Sequence, residues 1–294
     1  MRKLLSIALF AFLLVIGWST LRPDAGQLAA KNANDYGSRL FQSHVHDRPI
    51  ASGATSQAPS EPVEAEQVTY ATVDGQPMTG YLARPANATE PLPGLIVIHE
   101  WWGLNENIEM MTRRLAGEGY MALAVDLFGQ VADTPEQARA QVQAAAQTPQ
   151  KLEDNIRQAY QYLSGEQKAS KVGSIGWCFG GSWSLKTALL LPEELNATVI
   201  YYGGQLVTDA AQLEPLQMPI LGMFGSLDDN PPVETVKAFE SALKSLDKPV
   251  QVYVYEGADH AFANPSGTRY NAEAAEDAWI KTIAFLNQHL KSAE

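Results

Sequence analysis

The chain has 294 residues, of which 46% are hydrophobic, enough for one large domain with a substantial core. A formal net charge of −12 and the lack of any basic run argue against nucleic acid as a partner. The single cysteine, Cys178, excludes an intramolecular disulfide framework and any cysteine-rich zinc or iron–sulfur site. Nothing in the sequence implies a metal ion or an organic cofactor.

Residues 1–30 have the pattern of an export signal. Arg2 and Lys3 precede an unbroken apolar run over residues 4–18, which is short for a membrane span but typical of a signal sequence. A cleaved signal and an uncleaved anchor both stay open, because the cleavage positions are poorly marked. In either case we expect the domain to lie outside a bacterial cytoplasm, periplasmic or secreted, with membrane contact only through this segment.

Residues 31–66 are polar and irregular in composition, and they end in a stretch rich in Ala, Ser, Pro and Glu. This composition predicts a disordered linker ahead of the folded domain. His44 and His46 lie in it and are a conceivable metal-binding pair. Because no third histidine or carboxylate cluster lies near them in the sequence, a solvated loop is the favoured interpretation.

From residue 67 to residue 294, strand patterns alternate with helical patterns. Residues 67–73 and 78–83 flank a turn at Asp74-Gly75 and predict an antiparallel hairpin. Further strands are predicted over residues 91–99, 120–125, 172–177, 197–202, 220–224 and 250–255. Helices are predicted over residues 108–118, 134–145, 150–163, 233–245 and 272–290, with one more directly after residue 180. This alternation predicts an α/β fold: a mostly parallel sheet with helices on both faces and an antiparallel N-terminal edge.

Residues 176–180 read Gly-Trp-Cys-Phe-Gly and join a buried strand to a helix. This is the G-x-S-x-G nucleophile elbow with cysteine in place of serine. The flanking glycines give the room that a sharp turn needs, and the helix N-terminus favours negative charge on a thiolate. The pattern therefore predicts Cys178 as a nucleophile. A buried structural cysteine in an ordinary strand-to-helix turn is the alternative.

Acidic residues and a histidine follow two later strands. Asp228 and Asp229 come after the strand over residues 220–224, and His260 comes after the strand over residues 250–255. Active sites of parallel sheets lie beyond the carboxyl ends of the strands, and nucleophile, acid, histidine is the α/β-hydrolase order. We therefore expect Cys178 to attack a carbonyl, His260 to transfer the proton and an aspartate to orient the imidazole. Asp228 is preferred, and Asp229 is the alternative.

The end of the strand over residues 91–99 and the loop after it contribute the remaining predicted site residues. The backbone N–H groups of Trp101 and Phe179 are the expected oxyanion hole, following the usual elbow arrangement. Trp101 and Trp102 are candidates for an aromatic pocket beside the elbow. His99 is the other possible base, and we interpret it as structural.

Six segments together resemble the dienelactone hydrolase family, whose namesake is carboxymethylenebutenolidase. The resemblance covers about residues 67–290 and implies an α/β-hydrolase fold acting on a small ester or lactone without a cofactor. The segments are residues 99–105, 126–129, 176–181, 201–203, 225–228 and 260–262.

The resemblance also implies roles for individual residues. In the family, the glutamate that matches Glu100 contacts the resting thiol and takes part in activating it. Tyr201 and Phe262 lie in matching segments and are expected in the substrate pocket. The namesake binds a substrate carboxylate with arginines; Asn264 occupies one of these positions, and Arg139 is the nearest candidate for the other. Losing a bidentate arginine argues against the dienelactone of catechol degradation as the substrate.

The leading hypothesis is therefore a monomeric ester or lactone hydrolase that works through a Cys-His-Asp triad and an acyl-enzyme. The alternative hypothesis is a non-catalytic or redox-responsive binding protein on the same fold, with Cys178 as its reactive thiol.

Overall fold

The structure is a computed structural model. It describes the backbone of residues 25–47 and 58–291 and the side chains of residues 35–47 and 58–291. Most of the predicted export signal, residues 1–24, lies outside the described range. Among the helices that are described, none combines the length and the apolar character needed to cross a bilayer.

An eight-stranded sheet forms the centre of the domain. The strands are β1 (Val63–Val73), β2 (Gln76–Pro85), β3 (Gly94–Ile98), β4 (Met121–Val125), β5 (Val172–Trp177), β6 (Ala197–Tyr201), β7 (Ile220–Gly225) and β8 (Val250–Tyr255). Their spatial order is β1-β2-β4-β3-β5-β6-β7-β8. Strand β2 pairs antiparallel with β1 and β4, and every other neighbouring pair is parallel. This confirms the predicted α/β fold and its antiparallel N-terminal edge.

Helices surround this sheet. They are α1 (Ala25–His44), α2 (Glu106–Gly117), α3 (Pro135–Gln147), α4 (Pro149–Gln161), α5 (Phe179–Leu190), α6 (Ala210–Leu213), α7 (Val233–Ser245) and α8 (Ala272–Leu290). Side-chain caps fix several starts: Thr134 accepts a hydrogen bond from the Gln137 N–H, with Pro135 at the first helical position. Asn271 caps α8 in the same way.

The five central strands, β3 to β7, are buried at every residue. Strands covered on both faces read as continuous apolar runs, which is why the sequence located them well. Strand β3 is shorter than predicted and begins at Gly94. Pro91 and Pro93 have no N–H to donate to a neighbouring strand, so pairing starts after them.

The prediction of a disordered linker over residues 31–66 is wrong for the part that the structure describes. Residues 31–44 belong to α1, and β1 begins at Val63 rather than at residue 67. Tyr36, Leu40 and His44 are buried and recur every fourth residue, so they share one face of the helix. The other residues of α1 are mostly polar, so this small apolar face was not recognised in the sequence.

Candidate active site

Cys178 lies at a strained turn between β5 and α5. Its backbone has φ 58° and ψ −114°, a region that non-glycine residues rarely adopt. A Cβ atom on Gly176 would overlap the backbone of Gly180, and one on Gly180 would overlap the backbone of Ile98. Glycine is therefore required on both sides of the cysteine. Because α5 begins at Phe179, its positive N-terminal end lies beside the thiol.

A buried histidine–aspartate pair lies at the same edge of the sheet. His260 Nδ1 is 2.8 Å from Asp228 Oδ2, and the other carboxylate oxygen of Asp228 accepts a 2.6 Å hydrogen bond from the Asn230 N–H. The neighbouring Asp229 is exposed. Of the two acids that the sequence offered, the structure brings Asp228 to the imidazole.

Cys178 and His260 face each other across the elbow. A ring nitrogen of His260 lies within 4.8 Å of Cys178 Sγ, and His260 Nε2 is buried without a hydrogen-bond partner among the described residues. Burial alone would lower the pKa of His260, but the negative charges of Asp228 and the Cys178 thiolate hold this pKa well above its usual range.

His44 is a fourth member of this cluster, and sequence analysis missed it. Its Nε2 atom lies 3.7 Å from Cys178 Sγ. Its ring stacks on Trp101 with 4.8 Å between centroids and meets His260 edge-on at 5.1 Å. The favoured interpretation of His44 as a solvated loop residue is therefore wrong, because α1 carries its side chain into the protein.

Charged and polar contacts hold His44 in place. His44 Nδ1 is 2.6 Å from Asp47 Oδ2, to which Arg269 also donates a 2.7 Å hydrogen bond. Thr268 Oγ1 donates to the other carboxylate oxygen of Asp47 at 2.7 Å. Burial lowers the pKa of His44 to about 4 despite the Asp47 contact, so its imidazole is neutral at pH 7. The helical spacing of Tyr36, Leu40 and His44 was the one signal in the sequence that could have predicted a buried His44.

Helix α1 covers Cys178. Cys178 is 0% exposed and His260 is 1% exposed. Besides His44, α1 presents Tyr36, whose hydroxyl lies 3.0 Å from Ser182 Oγ on α5. A molecule from solvent cannot reach a fully buried sulfur unless α1 or its contacts move.

Glu100 is buried and is bonded to Asn264. Its Oε2 atom accepts a 2.5 Å hydrogen bond from Asn264 Nδ2, and Ser266 Oγ donates to Asn264 Oδ1 at 2.6 Å. The expected resting contact between Glu100 and the thiol is absent among the described residues, where His44 lies beside Sγ instead. Burial raises the pKa of Glu100 to about 7.

Tyr202, rather than the predicted Tyr201, faces His260. The Tyr201 hydroxyl lies 2.7 Å from Thr282 Oγ1 on α8, so it is engaged away from the thiol. The Tyr202 ring lies 5.3 Å from the His260 ring, and its hydroxyl is buried without a hydrogen-bond partner among the described residues. Burial, together with the negative charges of Glu100 and Cys178, raises the pKa of Tyr202 well above its usual value. The sequence has two adjacent tyrosines here and does not show which of them faces His260.

The other predicted pocket residues have different surroundings. Arg139 Nη2 donates a 3.2 Å hydrogen bond to Ser38 Oγ, and its guanidinium lies 5.3 Å from the Phe41 ring, so Arg139 secures α1. Phe262 is fully buried and packs against Tyr202 with 5.4 Å between centroids. Trp102 meets His44 edge-on at 6.4 Å and is the one of these three that borders the cluster.

His99 connects two of the loops that carry the site. Its Nδ1 atom donates to the Glu100 carbonyl at 2.6 Å, and its Nε2 atom accepts a 3.2 Å hydrogen bond from the Leu127 N–H. Burial lowers the pKa of His99, which keeps the imidazole neutral in these roles. Both nitrogens are therefore occupied in joining the ends of β3 and β4, as expected of a structural residue.

A mainly apolar cavity of about 430 Å³ lies next to the elbow. It is enclosed by residues of α1, α3, α4 and α5 and by the loop after β6. Tyr36, Phe179 and Trp183 are among its walls. Phe179 directly follows Cys178 in the chain, so this cavity, which has room for a small apolar group, adjoins the elbow.

The chain is similar to several known proteins. A family model described as the dienelactone hydrolase family matches residues 78–290. A protein of Saccharolobus solfataricus, provisionally named carboxymethylenebutenolidase, is 33% identical over 73% of this chain and 95% of its own length. The crystal structure of a provisionally named dienelactone hydrolase from Klebsiella pneumoniae has a TM-score of 0.70 and 28% identity, covering 78% of this chain and 100% of that chain.

A structure described as a dienelactone hydrolase-like promiscuous phosphotriesterase from metagenomic libraries is also similar. Its TM-score is 0.69 and its identity 26%, covering 77% of this chain and 98% of that chain. The family match begins within β2, so α1 and His44 lie outside it.

Proposed function

The chain belongs to the dienelactone hydrolase family, and we propose that it hydrolyses a small ester or lactone with Cys178 as the nucleophile. The observation that carries this proposal is the buried 2.8 Å contact between His260 and Asp228, beside a cysteine in a strained elbow. The chemistry of such a grouping is acyl transfer.

The proposed reaction has two halves. His260 Nε2 takes the thiol proton as Cys178 Sγ attacks the carbonyl carbon, and the backbone N–H groups of Trp101 and Phe179 stabilise the oxyanion. The alkoxide leaves with the proton from His260, and the acyl group stays on sulfur as a thioester. A water molecule, deprotonated by His260, then attacks the thioester, and the acid leaves as the thiol is restored.

The surrounding acids have separate roles in this scheme. Asp228 keeps the His260 proton on Nδ1 and stabilises the imidazolium. Glu100 is proposed to assist thiol activation when a substrate displaces the present contacts. Its raised pKa, about 7, allows it to give or accept a proton near neutral pH.

The substrate class follows from the surroundings of the thiol. Asn264 is neutral and already bonded to Glu100, and Arg139 is bonded to α1, so neither supplies a free charge for a substrate carboxylate. The cavity beside Phe179 is mainly apolar. These features favour an uncharged ester or lactone with a small apolar group, bordered by Trp102 and Tyr202.

The redox-responsive alternative is not favoured. The family to which the chain belongs points to hydrolysis. Export through residues 1–30 and a monomeric state remain parts of the proposal, to be checked by cell fractionation and by light scattering.

The test is hydrolysis of p-nitrophenyl acetate and of a small lactone by wild type, Cys178→Ala and His46→Ala. His46 is exposed and serves as the matched control. We expect Cys178→Ala to lower kcat at least about a thousandfold, as nucleophile loss does in other acyl-transfer enzymes, and His46→Ala to retain activity. Mass spectrometry of quenched wild type should show an acetyl group on Cys178. Full activity in Cys178→Ala would refute the proposal.

A further inference from the structure

We propose that His44, Cys178 and His260 form a binding site for a thiophilic divalent metal ion, for which Zn²⁺ is the reference ion. Their candidate ligand atoms, two imidazole nitrogens and one sulfur, all lie within 4.8 Å of one another, and all three residues are buried. The residues come from α1, the elbow and the loop after β8. This metal-bound state is distinct from the hydrolytic state proposed above.

The distances suit a tetrahedral ion. Zinc–sulfur and zinc–nitrogen bonds of about 2.3 Å and 2.0 Å place neighbouring ligand atoms about 3.5 Å apart. His44 Nε2 and Cys178 Sγ are already 3.7 Å apart. The wider separations within the cluster, up to 4.8 Å, require only small side-chain rotations. Two nitrogens and a thiolate are a ligand set that Zn²⁺ and other thiophilic metals prefer.

Both histidines have the second partner that metal-binding histidines usually have. His44 Nδ1 is bonded to Asp47, at 2.6 Å, and His260 Nδ1 is bonded to Asp228, at 2.8 Å. A carboxylate on Nδ1 fixes the tautomer, leaves the Nε2 lone pair free and increases its basicity. One such pair is what a catalytic triad needs. The second pair, on a helix outside the family match, has no role in the hydrolytic scheme.

The site also has an unpaired polar atom. His260 Nε2 is buried and has no hydrogen-bond partner among the described residues, and such an atom normally costs free energy. A metal ion between the three residues would satisfy it.

Binding has a defined proton balance and a defined effect. The ion replaces the thiol proton, which is released to solvent, and the three protein ligands leave the fourth position to water. The sulfur lone pair and the His260 Nε2 lone pair are then both engaged by the metal. The metal-bound protein therefore cannot attack a carbonyl, and the ion acts as a reversible inhibitor that also fastens α1 over the elbow.

The test is isothermal titration of chelator-treated protein with Zn²⁺, using wild type, His44→Gln and His46→Gln. His46 lies two residues from His44 and is exposed, so it controls for surface binding and for the substitution itself. We expect one ion per wild-type chain and for His46→Gln. The dissociation constant of His44→Gln for Zn²⁺ should rise at least about tenfold. Metal affinity falls by at least this factor even when the mutated residue only orients a metal-binding side chain.

A second measurement keeps the proposal falsifiable if His44→Gln disturbs α1. Co²⁺ added to wild type should give a thiolate-to-metal charge-transfer band and the visible spectrum of a four-coordinate ion, and both should vanish in Cys178→Ser. Equal Zn²⁺ affinities for the three proteins, or a Co²⁺ spectrum without the thiolate band, would overturn the proposal. Because no substrate is present, these results are independent of whether the protein is an esterase.

Discussion

His44 Nε2 lies 3.7 Å from Cys178 Sγ, although 134 positions separate the two residues in the chain. The contact brings a helix from outside the family-matched region onto Cys178. It also explains why this cysteine is fully buried. The access of reagents to the thiol should therefore depend on the contacts that hold α1 over Cys178.

The first prediction concerns that access. Arg269 donates a hydrogen bond to Asp47, the partner of His44 Nδ1, so Arg269→Ala should loosen the end of α1. Removing one partner of a fully buried ion pair costs several kcal/mol of stability. The side chains of Arg269 and Asp47 are 18% and 9% exposed, so the loss of stability here should be smaller. We expect iodoacetamide to modify Cys178 about 10 to 100 times faster at constant pH, as measured by intact mass.

Arg39→Ala is the control for this experiment. Arg39 lies on the same helix and is exposed. Its substitution should leave the alkylation rate near that of wild type. Equal rates for Arg269→Ala and wild type would mean that α1 does not govern access to the sulfur.

The second prediction separates the two adjacent acids. Asp228→Asn removes the carboxylate that holds the proton on His260 Nδ1, so the wrong tautomer should dominate and kcat should fall about 10³ to 10⁴-fold. Asp229→Asn changes an exposed side chain and should have little effect. Ester hydrolysis by both variants measures this. A larger loss in Asp229→Asn would assign the triad to the other acid.

The third prediction is a pH dependence set by Glu100. Its pKa is raised by burial from 4.5 to about 7, so the folded state holds this proton more tightly than the unfolded chain. The stabilisation is fully present below pH 4.5 and is lost as the pH rises through about 7. Glu100→Gln mimics the protonated acid. It should match wild type at pH 4.5 and exceed its unfolding free energy by up to roughly 3 kcal/mol at pH 8.

Chemical denaturation across this pH range measures the difference. Glu106→Gln, at an exposed glutamate, should show no such trend. A wild type that gains stability relative to Glu100→Gln as the pH rises would show that the buried carboxylate is ionised and well paired.

The fourth prediction compares two adjacent tyrosines. Tyr202→Phe removes a buried hydroxyl without a partner among the described residues, so stability should rise by about 1 kcal/mol. If this hydroxyl serves a bound substrate, kcat/KM should fall at least about tenfold in the same variant.

Tyr201→Phe should behave in the opposite way. It leaves the buried Thr282 hydroxyl unpaired and should destabilise the fold by about 1 to 3 kcal/mol, with little change in kcat/KM. Thermal unfolding and ester kinetics of both variants measure the contrast. If Tyr202→Phe lost both stability and activity, the hydroxyl would have a structural partner.

Patterns that repeat along the chain were readable from the sequence. The buried strands β3 to β7 are continuous apolar runs because helices cover both faces, and the elbow is recognisable because only glycine fits on either side of Cys178. The order of nucleophile, acid and histidine located the loops after β7 and β8, since parallel strands end at one edge.

Only the tertiary structure decided which side chains of these loops meet. The choice between Tyr201 and Tyr202 depends on one residue of strand register, and that register is fixed by packing against Thr282 and His260. The place of His44 was undecidable from its neighbours. Its partners, Cys178, His260 and Arg269, are distant in the chain, and a polar helix is stabilised by the surface it covers rather than by its own composition.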